Sequence, residues 1–178
     1  MASARHHGCD QSRRIPKGES IITPMKFATD SSRLQCALWL DSLAQWEIAL
    51  TLTFSKIKST GDCRSTSGVI ATTRHLIRSI NRRCFGHGAN RKGYCIASVY
   101  VIEYSRSGRH PHVHATLSIP PKYDFESMCR VITQKASGLH SIDRQIHLQH
   151  YSDFGWLDYC LKNGTENLVV EDIHQAKP

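Results

Sequence analysis

The sequence lacks several features that would assign the protein to a large class. No run of about 18 apolar residues occurs, so no segment is long enough to span a bilayer as a helix. The first residues, MASARHHGCDQSRR, lack the apolar stretch of a secretory signal. Neither GxxxxGKS nor GxxxxGKT is present, which excludes the common phosphate-binding loop of ATP-driven motors. We therefore expect an intracellular protein that has no membrane anchor and no motor of its own.

Cysteine is present in an odd number, seven, and no CxxC pair occurs. A secreted disulfide framework usually has an even number of cysteines, and a zinc knuckle needs cysteines at ligand spacing. We expect reduced thiols, which agrees with an intracellular location.

Acidic residues are fewer than basic ones: 15 Asp and Glu stand against 23 Lys and Arg, and the formal net charge is +8. Such a balance favours a polyanionic partner, either nucleic acid or an acidic membrane surface. The 178 residues, of which 40% are hydrophobic, suffice for one domain with a core and are short for two.

The chain divides into three parts by composition. Residues 1–32 are polar, basic and aperiodic, and we expect a flexible arm. Residues 33–165 carry the periodic patterns of a folded domain. Residues 166–178 form a tail that we expect to be loose after Val170.

Within the domain, the hydrophobic period changes several times. Leu50, Leu52 and Phe54 alternate with polar residues, as in a strand, and a Gly-containing loop between two later strands indicates a hairpin. The predicted strands are 48–55, 95–104, 112–119 and 145–151, and the predicted helices are 33–45, 69–84, 125–136 and 154–163. This order predicts an α+β fold, an antiparallel sheet with helices packed on one face, close to the split βαβ arrangement.

The string RHPHVHATL, residues 109–117, is the most informative one. Alternate residues of a strand share a face, so His112 and His114 lie side by side, about 6–7 Å apart, and can converge on one cation. Glu103 ends the preceding strand, and the hairpin should bring it back towards His112 as a third ligand. His110, in the turn, is an additional candidate ligand. A chance His-x-His on an exposed strand also fits the spacing.

The last predicted helix carries a candidate nucleophile. Tyr159 and Lys162 lie about 60° apart around the helix axis, away from its apolar stripe. A nearby ammonium favours the phenolate form of a tyrosine. An amphipathic helix with an interfacial tyrosine would show the same pattern. The stripe consists of Phe154, Leu157 and Leu161.

Arginine recurs every four residues on the predicted helix 69–84, at Arg74, Arg78 and Arg82. These side chains can bind backbone phosphates of a DNA hairpin or a single strand. A solvated helix face has the same pattern.

Together these strings resemble the HUH endonucleases, the single-tyrosine replication initiators of small circular DNA phages, plasmids and viruses. The resemblance covers roughly residues 46–163 and includes a looser match of the first strand, residues 51–54, to the family's first motif. The matched His-hydrophobic-His, acidic and YxxK residues are His112, Val113, His114, Glu103, Tyr159 and Lys162.

The resemblance implies a ferredoxin-like or RRM-like sheet with the site on its open face. It implies Mn²⁺ or Mg²⁺ held by Glu103, His112 and His114, attack by Tyr159 to give a 5′-phosphotyrosine, and orientation by Lys162. The implied partners are single-stranded DNA or a DNA hairpin at a replication origin, and a host helicase and polymerase. The implied compartment is the bacterial cytoplasm, or the host nucleus for a eukaryotic virus.

Four other functions fit parts of the pattern. A mobilisation relaxase and a single-strand transposase use related chemistry. A non-catalytic binder on an RRM-like sheet would need aromatic residues on the open face, where His112, His114, Thr116 and Ser118 are expected instead. A hydrolytic zinc enzyme is also possible, because two histidines and a glutamate suit zinc.

Overall fold

The computed structural model describes residues 30–55, 65–104 and 110–177, so the predicted arm before residue 30 and the loops 56–64 and 105–109 lie outside the described residues. In the described ranges, no helix combines the length and apolarity that crossing a membrane requires. The helices are α1 (Asp30–Asp41), α2 (Thr66–Phe85), α3 (His87–Arg91), α4 (Phe125–Ser137) and α5 (Phe154–Cys160). The strands are β1 (Ile48–Phe54), β2 (Ser98–Tyr104), β3 (Pro111–Leu117) and β4 (Ile142–His150).

The four strands form one antiparallel sheet in the order β2-β3-β1-β4. The alternation in β1 decides its two faces: Leu50, Leu52 and Phe54 are buried in the main core, and Thr51 and Thr53 point to the opposite side. Helices α2 and α4 cover the core face with their apolar residues. The α+β class and the antiparallel sheet are therefore confirmed.

The prediction that the helices pack on one face is wrong. A second apolar cluster lies on the other face, where α1 and α5 cover Val99 and Val101 of β2. The reason is visible in β2, whose SVYVI run is apolar without alternation and so must be covered on both faces. The members from the two helices are Ala37, Leu40, Leu157 and Cys160. The second face is thus covered at its β2 end.

The segment after α5 is ordered along the outer edge of β2. His174 exchanges two backbone hydrogen bonds with Ser98, and Lys177 exchanges two with Cys95. The expectation of a loose tail is therefore wrong as far as Lys177, because the unpaired edge of β2 offers backbone partners to this segment.

Candidate active site

The predicted hairpin register is confirmed. Glu103 on β2 lies directly opposite His112 on β3, and on the other side of β3 the same histidine lies opposite Thr53 of β1. The neighbouring row contains His114 between Val101 and Thr51. Because residues in one row share a face, both histidines, both threonines and the glutamate lie on the second face of the sheet.

Both imidazoles are oriented by threonine hydroxyl groups. Thr51 Oγ1 lies 3.0 Å from Nδ1 of His114, and Thr53 Oγ1 lies 3.3 Å from Nδ1 of His112. A hydroxyl can accept a hydrogen bond from Nδ1–H, and in that tautomer Nε2 keeps a free lone pair, the form that binds a metal. The alternation of the two threonines in β1 was visible in the sequence, but it did not predict that they orient the imidazoles.

Three side chains converge on the carboxylate of Glu103. Its Oε2 lies 2.9 Å from Nε2 of His114 and 3.2 Å from Nζ of Lys162, and its Oε1 accepts a hydrogen bond of 2.8 Å from Nδ2 of Asn163. Burial alone would raise the pKa of Glu103, but the hydrogen bonds from His114 and Lys162 outweigh it and lower the pKa. The carboxylate is therefore ionised at neutral pH. Asn163 follows the predicted motif directly and had no signal of its own in the sequence.

His114 is almost completely buried, at 7% exposure. Burial lowers the pKa of its imidazole, and the nearby carboxylate of Glu103 offsets this only in part. At neutral pH the pair is therefore a neutral imidazole beside an ionised carboxylate, which is the protonation state that a metal ligand needs.

The side chain of Tyr159 reaches these strands from α5. Its ring centre lies 5.9 Å from that of His114, and Nζ of Lys162 lies 3.8 Å from the centre of the tyrosine ring. Tyr159 is 49% exposed, so solvent and substrate can reach its hydroxyl. Burial would lower the pKa of Lys162, but Tyr159 and Glu103 together raise it, and the ammonium stays charged.

The donor groups fit a cation although they now contact each other. Within the described ranges, no three His, Cys, Asp or Glu side chains stand in a ligating arrangement, and His114 and Glu103 are hydrogen-bonded to each other. Their separation of 2.9 Å nevertheless matches neighbouring ligands of an octahedral ion, which lie about 3.0 Å apart when each bond is about 2.1 Å. Binding would require the Nε2 proton of His114 to leave and Nδ1 to carry a proton towards Thr51.

Both histidines, both threonines and Tyr159 line an open cleft of about 650 Å³. The covered end of the second face, with α5, forms one wall, and the exposed strand β4 forms the other. The residues that line the cleft include His112, His114, Trp156, Tyr159, Gln145, His147 and Gln149.

The other predicted residues lie away from this cleft. The three arginines are on α2, which packs on the core face, opposite the histidines. Nε of Arg74 lies 2.7 Å from a carboxylate oxygen of Asp172, which neutralises its charge. DNA binding by Arg78 and Arg82 stays a prediction, and the two do not reach the candidate site. His110 precedes β3 and is half-buried.

Comparisons of the chain with protein-family models, with curated proteins and with solved structures found no match.

Proposed function

We propose that this protein is a metal-dependent endonuclease that nicks and rejoins single-stranded DNA through Tyr159, as HUH rolling-circle replication initiators do. The observation that supports this most is the position of Lys162. Its ammonium contacts both the Tyr159 ring and the Glu103 carboxylate. Two patterns that are far apart in the sequence therefore meet in one cleft, which an ordinary amphipathic helix would not require.

The strand order gives independent support. The order β2-β3-β1-β4, with α2 and α4 each linking two strands that flank a third, is that of the split βαβ or ferredoxin-like sheet. This is the sheet that the HUH resemblance implies. The candidate site lies on the face opposite α2 and α4, as that resemblance also implies.

Glu103, His112 and His114 would hold Mn²⁺ or Mg²⁺. When bound, the ion would neutralise charge that develops on the scissile phosphate. Thr51 and Thr53 fix the two imidazoles, and Asn163 fixes the carboxylate. These three contacts hold the ligand side chains before DNA arrives, so little free energy is needed to order them.

In the nicking step, the Tyr159 oxygen attacks the phosphorus and the bond from phosphorus to O3′ breaks. The phenol proton passes to solvent in the open cleft, and the leaving O3′ takes up a proton. The products are a 5′-phosphotyrosine and a free 3′-hydroxyl, and the reverse reaction with another 3′-hydroxyl rejoins the strand. Lys162 keeps a positive charge beside the attacking oxygen and its phosphate.

The remaining parts of the proposal concern partners. A single-stranded DNA or a DNA hairpin at a replication origin would be the substrate. A host helicase and polymerase would be the protein partners, supplying strand separation and synthesis.

The proposal is tested by incubating the protein with Mn²⁺ and a randomised single-stranded DNA library labelled at either end. We expect an adduct that survives boiling in detergent and maps by mass spectrometry to Tyr159. It should carry the label of the 3′ end of the DNA, because the fragment on the 3′ side of the cut stays attached to the protein. Chelation by EDTA should abolish it. Cleavage without any adduct would instead indicate a hydrolytic zinc enzyme, and binding without cleavage would indicate a non-catalytic binder.

A further inference from the structure

The open half of the second face is formed by β1 and β4, and β4 presents a row of glutamine and histidine side chains there. His147 lies opposite Thr51, and Gln149 lies opposite Ala49, so both point to the same face as the candidate ligands. Gln145 lies two residues before His147 and lines the same cleft. All three side chains of this row are exposed.

The chemistry of the row fits a nucleobase better than a phosphate. A glutamine amide presents a donor and an acceptor side by side, the pattern that matches a base edge such as that of adenine. Phosphate sites usually include a lysine or an arginine, and this row contains neither. His147 Nε2 lies 3.3 Å from Oε1 of Gln149, so the two side chains lie close enough to contact one base together.

The position of the row also fits a base. His147 and His114 flank Thr51 on neighbouring strands, so their backbones are roughly 10 Å apart, about the reach of one nucleotide. Trp156 lines the same cleft, and its ring is stacked with that of Tyr159 at 6.0 Å between centres. An aromatic ring beside a polar row gives an unpaired base a surface to stack on and groups to bind.

We propose that Gln145, His147 and Gln149 form a base-reading subsite that selects the nucleotides beside the scissile phosphate. This inference rests on the proposed function insofar as single-stranded DNA is the substrate, but base reading does not itself require cleavage.

The experiment compares Gln145→Ala, His147→Ala and Gln149→Ala with the wild type. Each protein selects binders from a randomised single-stranded DNA pool with Mn²⁺ at fixed salt, and the bound pool is sequenced. In parallel, covalent adducts are collected and sequenced. Gln134→Ala is the matched control, because Gln134 is an exposed glutamine on α4, which packs on the opposite face of the sheet.

We expect the wild type to prefer particular bases at several positions. In each row variant, the enrichment of the preferred base over the other bases should fall about tenfold at one or two adjacent positions. The preferences at the other positions should be unchanged. Total affinity should fall by less than about tenfold, and Gln134→Ala should match the wild type.

Two results would overturn the subsite: a wild-type pool with no base preference, or row variants that keep every preference of the wild type. Failure of the proposed function looks different. A wild type that selects defined sequences but forms no adduct would refute nicking, and loss of preference in the row variants would still support the subsite.

Discussion

The ammonium of Lys162 lies 3.8 Å above the ring of Tyr159 because the chain turns tightly between them. Helix α5 ends at Cys160, three residues earlier than predicted, and the backbone N–H of Lys162 donates to the carbonyl of Tyr159 at 3.1 Å. The turn folds the lysine back over the phenol and, at the same time, towards Glu103. One cation therefore connects the candidate nucleophile with the candidate ligand set.

Tyr159→Phe should abolish the covalent adduct and change single-stranded DNA binding by less than about twofold, because only the attacking oxygen is lost. Gel analysis after detergent denaturation measures the adduct, and fluorescence anisotropy measures binding. Tyr123→Phe is the matched control, since its hydroxyl contacts the backbone of Arg83 on the other side of the molecule. An adduct in Tyr159→Phe that maps to another tyrosine would refute the assignment.

Glu103→Ala should raise the Mn²⁺ concentration needed for half-maximal cleavage by more than about tenfold, because a carboxylate ligand is lost and two imidazoles remain. His110→Ala should shift it much less, since its direction is not fixed by the β-ladder that aligns Glu103 with His112. The two variants are compared by measuring the cleavage rate of each at increasing Mn²⁺ concentrations. A shift in His110→Ala alone would indicate a site with three histidines.

Thr51→Val should weaken Mn²⁺ binding by about tenfold, because Nδ1 of His114 loses its hydroxyl partner and the ring loses its fixed orientation. Thr116→Val is an isosteric control on the same face, and its buried hydroxyl has no hydrogen-bond partner in the part of the chain that the structure describes. It should leave the Mn²⁺ dependence unchanged. Calorimetric titration measures the Mn²⁺ affinity of both variants. If Thr51→Val binds Mn²⁺ as tightly as Thr116→Val does, Thr51 has no orienting role.

Strand exchange should need metal but no ATP, since a tyrosyl phosphate conserves the energy of the phosphodiester bond. A cleavable oligonucleotide and a second strand with a free 3′-hydroxyl should exchange ends in Mn²⁺ alone, as sequencing of the products would reveal. An acceptor ending in a 3′-deoxynucleotide is the control and should give no exchange. If hydrolysed ends are the sole product, the protein is a simple nuclease.

Tyr100→Phe should lower the free energy of unfolding by roughly 1–2 kcal/mol, because a buried hydroxyl no longer donates to Asp172. Burial raises the pKa of Tyr100, so this hydroxyl keeps its proton and acts as a donor. Tyr104→Phe is the control: its hydroxyl contacts Thr66 at an exposed position, and less than about 0.5 kcal/mol is expected. Urea denaturation measures the free energy of unfolding of both variants. Equal losses of this free energy in Tyr100→Phe and Tyr104→Phe would contradict the prediction.

Local patterns predicted the parts of the fold that depend on neighbours along the chain. The alternation in β3 placed His112 and His114 on one face, and the hairpin placed Glu103 opposite His112. The starts of α4 and α5 were also predictable, because Asp124 and Asp153 accept hydrogen bonds from the first turns of these helices, whereas α1 and α2 begin three residues earlier than predicted.

Features that depend on distant residues were not predictable. Arg74 belongs to a regular arginine series, yet its partner Asp172 lies near the other end of the chain. Thr51 meets His114 only because β1 inserts between β3 and β4, and no local period reports the order of strands in a sheet. The same holds for α5, whose place over β2 depends on packing against α1.

The backbone pairing of His174 with Ser98 at the edge of β2 has a consequence for folding and solubility. Strand β2 is made long before its edge partner becomes available, so its N–H and C=O groups stay open to strands of other chains until the segment docks. A chain truncated after Asp172 would leave the edge exposed at Ser98, whereas Leu168 and Val169 would still pair with Val101 and Tyr100. We expect such a truncation to aggregate during refolding even though every residue of the cleft is still present.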